Sequence, residues 1–128
     1  MNKIIECVPN FSEGRDFGKI AKIVGEIEKV KGVKLLNVES DADYNRTVVT
    51  FAGKPEAVRD AAFYAIEMAA EVIDMSHHKG AHPRIGATDV CPFVPVSDAT
   101  IDECVQIART LGKEVGEWLG IPVYLYGE

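Results

Sequence analysis

His77, His78 and His82 are the only histidines in a chain of 128 residues, and all three fall in one stretch, MSHHKGAHPRIGATD, which has no apolar periodicity. Imidazole can accept and return a proton near neutral pH, so a histidine held in a rigid loop suits proton transfer. Pro83 biases His82 towards an extended backbone, while Gly80 and Gly86 let the backbone approach a ligand closely. Lys79 and Arg84 put positive charge in the same stretch, as a carboxylate-bearing substrate requires. Metal chemistry is the competing reading. His78 and His82 have the H-x-x-x-H spacing of a zinc pair, but the intervening KGA lacks the zincin glutamate, and Gly80 with Pro83 opposes the helix that would align both rings. Asp41-x-Asp43-x-Asn45 matches the start of a calcium loop, but Arg46 replaces its glycine and Ala52 its closing glutamate; a polar hairpin loop is the plainer reading. Ser12 and Ser76 sit outside any G-x-S-x-G elbow, and Cys91 lies inside an apolar run that favours an inert thiol. General acid/base catalysis is the reading left standing.

The elements that must position these residues alternate along the chain. Ile4 to Val8 reads as a strand stopped by Pro9 and Asn10, with a turn at Gly14. Phe17, Ile20, Ile23, Val24, Ile27 and Val30 recur at helical spacing, and Gly32 suits the position after a helix end. Val33–Glu39 and Asn45–Ala52 form two β-rich arms around a polar loop, the pattern of an antiparallel hairpin. Pro55 opens an alanine-rich helical stripe running to Ile73, where small side chains permit close packing on a sheet. Val90–Val96 reads as a strand that Pro92 and Pro95 confine to an edge or break with a bulge. Thr100 with Glu103 is a capping box for a third helix, whose expected stripe includes Ile101, Val105, Ala108, Leu111, Val115 and Trp118. Gly120 and Pro122 close it, and Val123–Tyr126 reads as a last strand.

This order, β-α-β-β-α-β followed by α-β, predicts an α/β (α+β) two-layer sandwich of ferredoxin-like type: a mixed sheet with helices on one face, forming one domain over residues 1–128. The other sheet face then needs a partner to cover its apolar side chains. With Lys+Arg 14 against Asp+Glu 20, the net charge of −6 argues against nucleic acid as a partner. No apolar run approaches the roughly 18–20 residues that span a bilayer, and no signal-peptide core follows Met1, so the expectation is a cytoplasmic protein away from membranes. Cys7, Cys91 and Cys104 form no C-x-x-C pair and read as reduced thiols.

Several ungapped blocks carry a resemblance that runs almost end to end. Glu6-Cys7-Val8-Pro9-Asn10-Phe11-Ser12-Glu13-Gly14, Asn45-Arg46-Thr47-Val48, Ile73-Asp74-Met75, His82-Pro83-Arg84 with Gly86-Ala87, Asp89-Val90-Cys91-Pro92-Phe93 and Val123-Tyr124-Leu125-Tyr126-Gly127-Glu128 all belong to it. The chain resembles the N-terminal subdomain of the formiminotransferase domain of glutamate formimidoyltransferases and formiminotransferase-cyclodeaminases. The resemblance implies transfer of the formimino group of N-formimino-L-glutamate, a product of histidine breakdown, to N5 of tetrahydrofolate as co-substrate, with His82 as general acid/base. It also implies a second, C-terminal subdomain, which the 128 residues do not contain, and a folate crevice between the two. The missing half would come from a homodimer or from a separate C-terminal subdomain chain. Arg84, Lys79 and Arg46 are candidates to hold the carboxylates of the donor or the folate tail, since guanidinium engages carboxylate bidentately. Asn10, Asn45 and Asp41 can hydrogen-bond the pterin or the amidine, although turn and cap duty explains them equally well. The alternative function is a non-catalytic folate-binding or assembly module that needs a separate second subdomain.

Overall fold

Alternate residues of the strand Arg46–Gly53 are buried, namely Thr47, Val49, Phe51 and Gly53, as the twofold repeat of a strand with one covered face dictates. The same face receives Ile5 and Cys7 from β1 (Ile4–Cys7) and Phe11 from β2 (Asn10–Phe11), because the register sets Ile5 against Gly53, Cys7 against Phe51 and Phe11 against Thr47. The computed structural model describes residues 2–73 and 87–120. Numbered along the chain, the remaining elements are α1 (Phe17–Glu28), β3 (Val33–Asp41), β4 (Arg46–Gly53), α2 (Pro55–Val72), β5 (Thr88–Val90), β6 (Phe93–Ser97) and α3 (Ile101–Glu114). A π-helical turn, Val115–Leu119, continues α3 and ends at Gly120 in the left-handed conformation.

Four of the six strands among the described residues are halves of two longer ones. β1 and β2 pair with the same edge of β4, and across their break at Val8 and Pro9 the Val49 N–H donates to the Pro9 carbonyl at 3.0 Å. β5 and β6 are broken at Cys91 and Pro92 and pair with β2 and β1 respectively, while the Val8 N–H donates to the Pro92 carbonyl at 3.1 Å. The sheet therefore runs β3, β4, β1/β2, β5/β6, with every described ladder antiparallel. That is the split βαβ order expected from the sequence. It corrects one detail: the described sheet is antiparallel and not mixed. The strands on either side of each helical crossover are separated by an intervening strand that runs the other way.

The helices close one face, as expected. Ile23 and Ile27 of α1 and Val58, Ala61, Ala62, Ala65, Ile66 and Ala69 of α2 are buried in one cluster with the inward sheet residues, and Ile20 of α1 is buried outside it. Burial of a side chain such as Phe51 or Ile23 is worth about 1.5–3 kcal/mol, so this layer is what holds the strands in register. α1 is capped by Asp16, whose carboxylate accepts from the Gly18 and Lys19 N–H groups at 3.0 and 3.2 Å. α2 opens on Pro55, and α3 has the expected capping box between Thr100 and Glu103. Lys3 bonds Glu103, joining the chain ahead of β1 to the start of α3. That contact holds the Glu103 carboxyl below its ordinary range, with the Thr100 amide assisting.

Three expected core positions are exposed instead. Phe17, the first residue of α1, lies a turn before the stripe meets the sheet, and Ile101 and Trp118 lie off the face of α3 that carries Cys104, Leu111 and Val115. The expected strand Val123–Tyr126 lies outside the described residues. The two prolines of the strand from Val90 act as expected: Pro92 sits at its break, Pro95 sits opposite Ile5 beside a register shift, and β6 is the edge of the described sheet. Thr100→Ala removes the acceptor for the Glu103 amide and is expected to lower unfolding free energy by about 1 kcal/mol, read as a shift of the urea midpoint at unchanged slope.

Candidate active site

The segment joining β2 to α1 packs against the β3–β4 hairpin through a backbone contact that only glycine allows. A Cβ on Gly14 would lie 2.4 Å from the Asp41 carbonyl oxygen and 2.5 Å from the Arg46 nitrogen. The Gly14 N–H donates to Asn45 Oδ1 at 2.7 Å. Asn45 is buried and sits at φ 51°, a left-handed conformation that asparagine tolerates better than most residues. Next to it, the Thr47 hydroxyl donates to the Glu13 carbonyl oxygen. Its single proton is thereby committed, so at the 2.9 Å Ser40–Thr47 contact it is the Ser40 hydroxyl that donates.

Asp41 opens the hairpin loop by accepting from the Asp43 and Tyr44 N–H groups at 3.0 and 3.2 Å, and Arg15 Nε donates to the Ala42 carbonyl at 2.8 Å. Glu13, nearly buried, accepts from the Arg15 and Asp16 N–H groups at 3.1 and 3.0 Å, with Lys19 Nζ 3.9 Å from its other oxygen. The Ser12 N–H donates to the Ala87 carbonyl at 2.8 Å. The loop from Ser12 to Asp16 is thus tied at once to the hairpin, to α1 and to Ala87, the residue before β5.

On the sheet face away from the helices, Glu39 pairs with Val48 and Val48 with Asn10, a row across three strands. Arg46 lies two residues before Val48 on the same face, opposite Asp41. Glu39, Ser40, Asp41, Ala42, Asp43, Arg46 and Val48 line an open concavity of about 380 Å³. The Arg46 guanidinium lies 5.8 Å from the centre of the Tyr44 ring, and Glu39, Asp41 and Asp43 line the same concavity as Arg46. Asn37 Nδ2 donates to Glu39 Oε1 at 2.6 Å. Asn10 Oδ1 is buried with no hydrogen-bond partner among the described residues, an acceptor that a ligand N–H can satisfy.

Of the residues singled out from the sequence, Asn10, Asp41, Asn45 and Arg46 come together around this hairpin. Asp41 and Asn45 carry the turn and loop duties described above, while Asn10 and Arg46 stand on the face itself. His77, His78, His82, Lys79 and Arg84 lie outside the described residues, between Ile73 at the end of α2 and Ala87. His82 is five residues along the chain from Ala87. Among the described residues no group of His, Cys, Asp or Glu is arranged to hold a metal, and no helix is long and apolar enough to cross a membrane. Sequence reasoning passed over Gly14, Glu13 and Glu39 as site residues. Gly14 and Asn45 are 31 positions apart, and nothing in local spacing shows that the Gly14 amide reaches the Asn45 side chain.

An antiparallel split-βαβ sandwich with a hydrogen-bonded loop cluster at one end defines the class. The chain belongs to a family: the model of the formiminotransferase domain, N-terminal subdomain, matches residues 4–128. It is 55% identical over 98% of its length to a glutamate formimidoyltransferase of Thermoplasma acidophilum and 54% identical over its whole length to a formimidoyltransferase-cyclodeaminase of Gallus gallus. A glutamate formimidoyltransferase of Streptococcus pyogenes is 48% identical over 98% of the chain. The chain spans 41%, 24% and 42% of these three relatives, less than half of each.

Asn45→Ala leaves the Gly14 amide buried without an acceptor and is expected to destabilise by about 1–3 kcal/mol. Asn45→Gly, which relieves the backbone but not the lost bond, is expected to recover only part of this in urea unfolding.

Proposed function

We propose that the protein carrying this chain is a glutamate formimidoyltransferase that moves the formimino group of N-formimino-L-glutamate to N5 of tetrahydrofolate. The observation that carries the reading is identity of about one half, over the full chain, to proteins bearing that name. The expected resemblance and the family match agree on the same subdomain.

In the proposed mechanism N5 of the folate attacks the formimino carbon, giving a tetrahedral intermediate with both nitrogens attached. His82 takes the proton from the attacking amine and returns one to the glutamate nitrogen, whose bond to the carbon then breaks. Holding both reactants against one histidine supplies the orientation that an amine-to-amidine transfer needs, and the mechanism calls for no metal. Arg84 and Lys79, beside His82 in sequence, serve the carboxylates of the donor or of the folate tail. The acidic concavity beside Arg46 suits groups rich in N–H donors, such as a pterin edge or the cationic formimino group, and the orphaned Asn10 Oδ1 adds one acceptor on the same sheet face. A second subdomain, a homodimer partner or a separate chain completes the folate crevice. Residues 1–128 form one domain of that assembly, in a cytoplasmic enzyme of histidine catabolism.

His82→Ala is expected to lower kcat by roughly 10²–10⁴, the usual worth of a general acid/base, with KM for both substrates little changed. Steady-state transfer by the full-length protein checks this, and a loss below about threefold removes His82 from that role. Arg84→Glu is expected to raise KM for formiminoglutamate; an unchanged KM removes Arg84 from the donor site.

A further inference from the structure

Cys7 and Cys91 bring their sulfur atoms to 3.4 Å across the two strand breaks, 84 positions apart in the chain. Cys7 is wholly buried at the end of β1, and Cys91 is half-buried at the break between β5 and β6. The surroundings hold the pair in place. Cys7 is in register with Phe93, and the Val8 N–H binds the Pro92 carbonyl at 3.1 Å, so neighbours of both thiols are locked together by backbone bonds. A disulfide needs an S–S distance of about 2.0 Å, within reach of small side-chain rotations from the observed approach. Cys104, the third thiol, is buried within the α3 layer of the core.

We propose that Cys7 and Cys91 are a redox pair that closes to a disulfide under a small-molecule disulfide oxidant, bracing the two interrupted strands beneath the candidate site. The chemistry balances with glutathione disulfide. The Cys91 thiolate attacks one sulfur of the oxidant, forming a mixed disulfide and releasing one glutathione thiolate. Cys7 then attacks the Cys91 sulfur, its proton passing to the second departing glutathione. Two protein thiols are oxidised and one glutathione disulfide is reduced to two glutathiones. The order follows from accessibility: Cys91 meets the oxidant, whereas burial pushes the Cys7 thiol well above its usual range, so it enters only as the resolving partner. The bond would lie one step from the rung that pairs Asn10 with Val90, fixing the strand carrying Asn10 against its neighbour.

The test is incubation of the folded full chain with glutathione disulfide, removal of the oxidant, alkylation in denaturant so that buried thiols react, and mass mapping of an unreduced digest. Wild type and Cys104→Ser are expected to lose the mass of two hydrogens and yield one cross-linked peptide joining Cys7 to Cys91. Cys91→Ser is expected to leave Cys7 free to alkylate, and Cys7→Ser to accumulate a glutathione adduct on Cys91. Three outcomes in the wild type overturn the proposal: full alkylation of all three cysteines, arrest at a glutathione adduct on Cys91, or a cross-link involving Cys104. Because the wild-type map and the half-exposed Cys91 variant decide the matter, a Cys7 variant that fails to fold does not obscure the result.

Discussion

The site region rests on one steric constraint, the absence of a side chain at Gly14. With no Cβ there, the loop after β2 lies directly on the backbone of Asp41 and Arg46, and its amide reaches Asn45. Everything near the hairpin follows from that approach. The Glu13 carbonyl comes within reach of the Thr47 hydroxyl, Glu13 and Asp16 are placed to start α1, and the Ser12 amide is left to hold Ala87. A methyl group at position 14 would collide with three backbone atoms that cannot move without unpicking the β3–β4 ladder.

The core layer and the site loop are stabilised by different physics. Between helices and sheet the contacts are apolar and redundant, with six buried α2 side chains, four of them alanines, meeting alternate sheet residues. Around the hairpin the contacts are polar and directional: the Gly14 amide on Asn45 Oδ1, the Thr47 hydroxyl on the Glu13 carbonyl, the Asp43 and Tyr44 amides on Asp41. Such networks tolerate substitution poorly, because each lost partner strands a buried group. The same loop stands beside the row of Glu39, Val48 and Asn10 that crosses three strands on the sheet face away from the helices.

Much of the fold was legible because it rests on periodicity. The alternation of Thr47, Val49 and Phe51, the stripe of Ile20, Ile23 and Ile27, Pro55 at a helix start and the Thr100–Glu103 box are local patterns with local causes. The split of β1 from β2 and of β5 from β6 was half legible: prolines marked the breaks, but the continued pairing of Asn10 and Phe11 with β4 depends on a tertiary ladder. Helix faces were misjudged at Phe17, Ile101 and Trp118, where apolar character alone does not say which side meets the core. For the site, residue types pointed to the hairpin through Asp41, Asn45 and Arg46, yet not to the Gly14 contact or the Cys7–Cys91 pair. Both depend on distances between elements far apart in sequence.

Formimino transfer itself is the central claim, and following the carbon tests it most directly. With N-formimino-L-glutamate labelled with ¹³C at the formimino carbon and tetrahydrofolate in equal amount, carbon NMR of a reaction run by the full-length protein should show the label moving to N5 of the folate as glutamate is freed. Label that stays on glutamate, or that appears as free formate or formamide with the folate unchanged, would contradict the account.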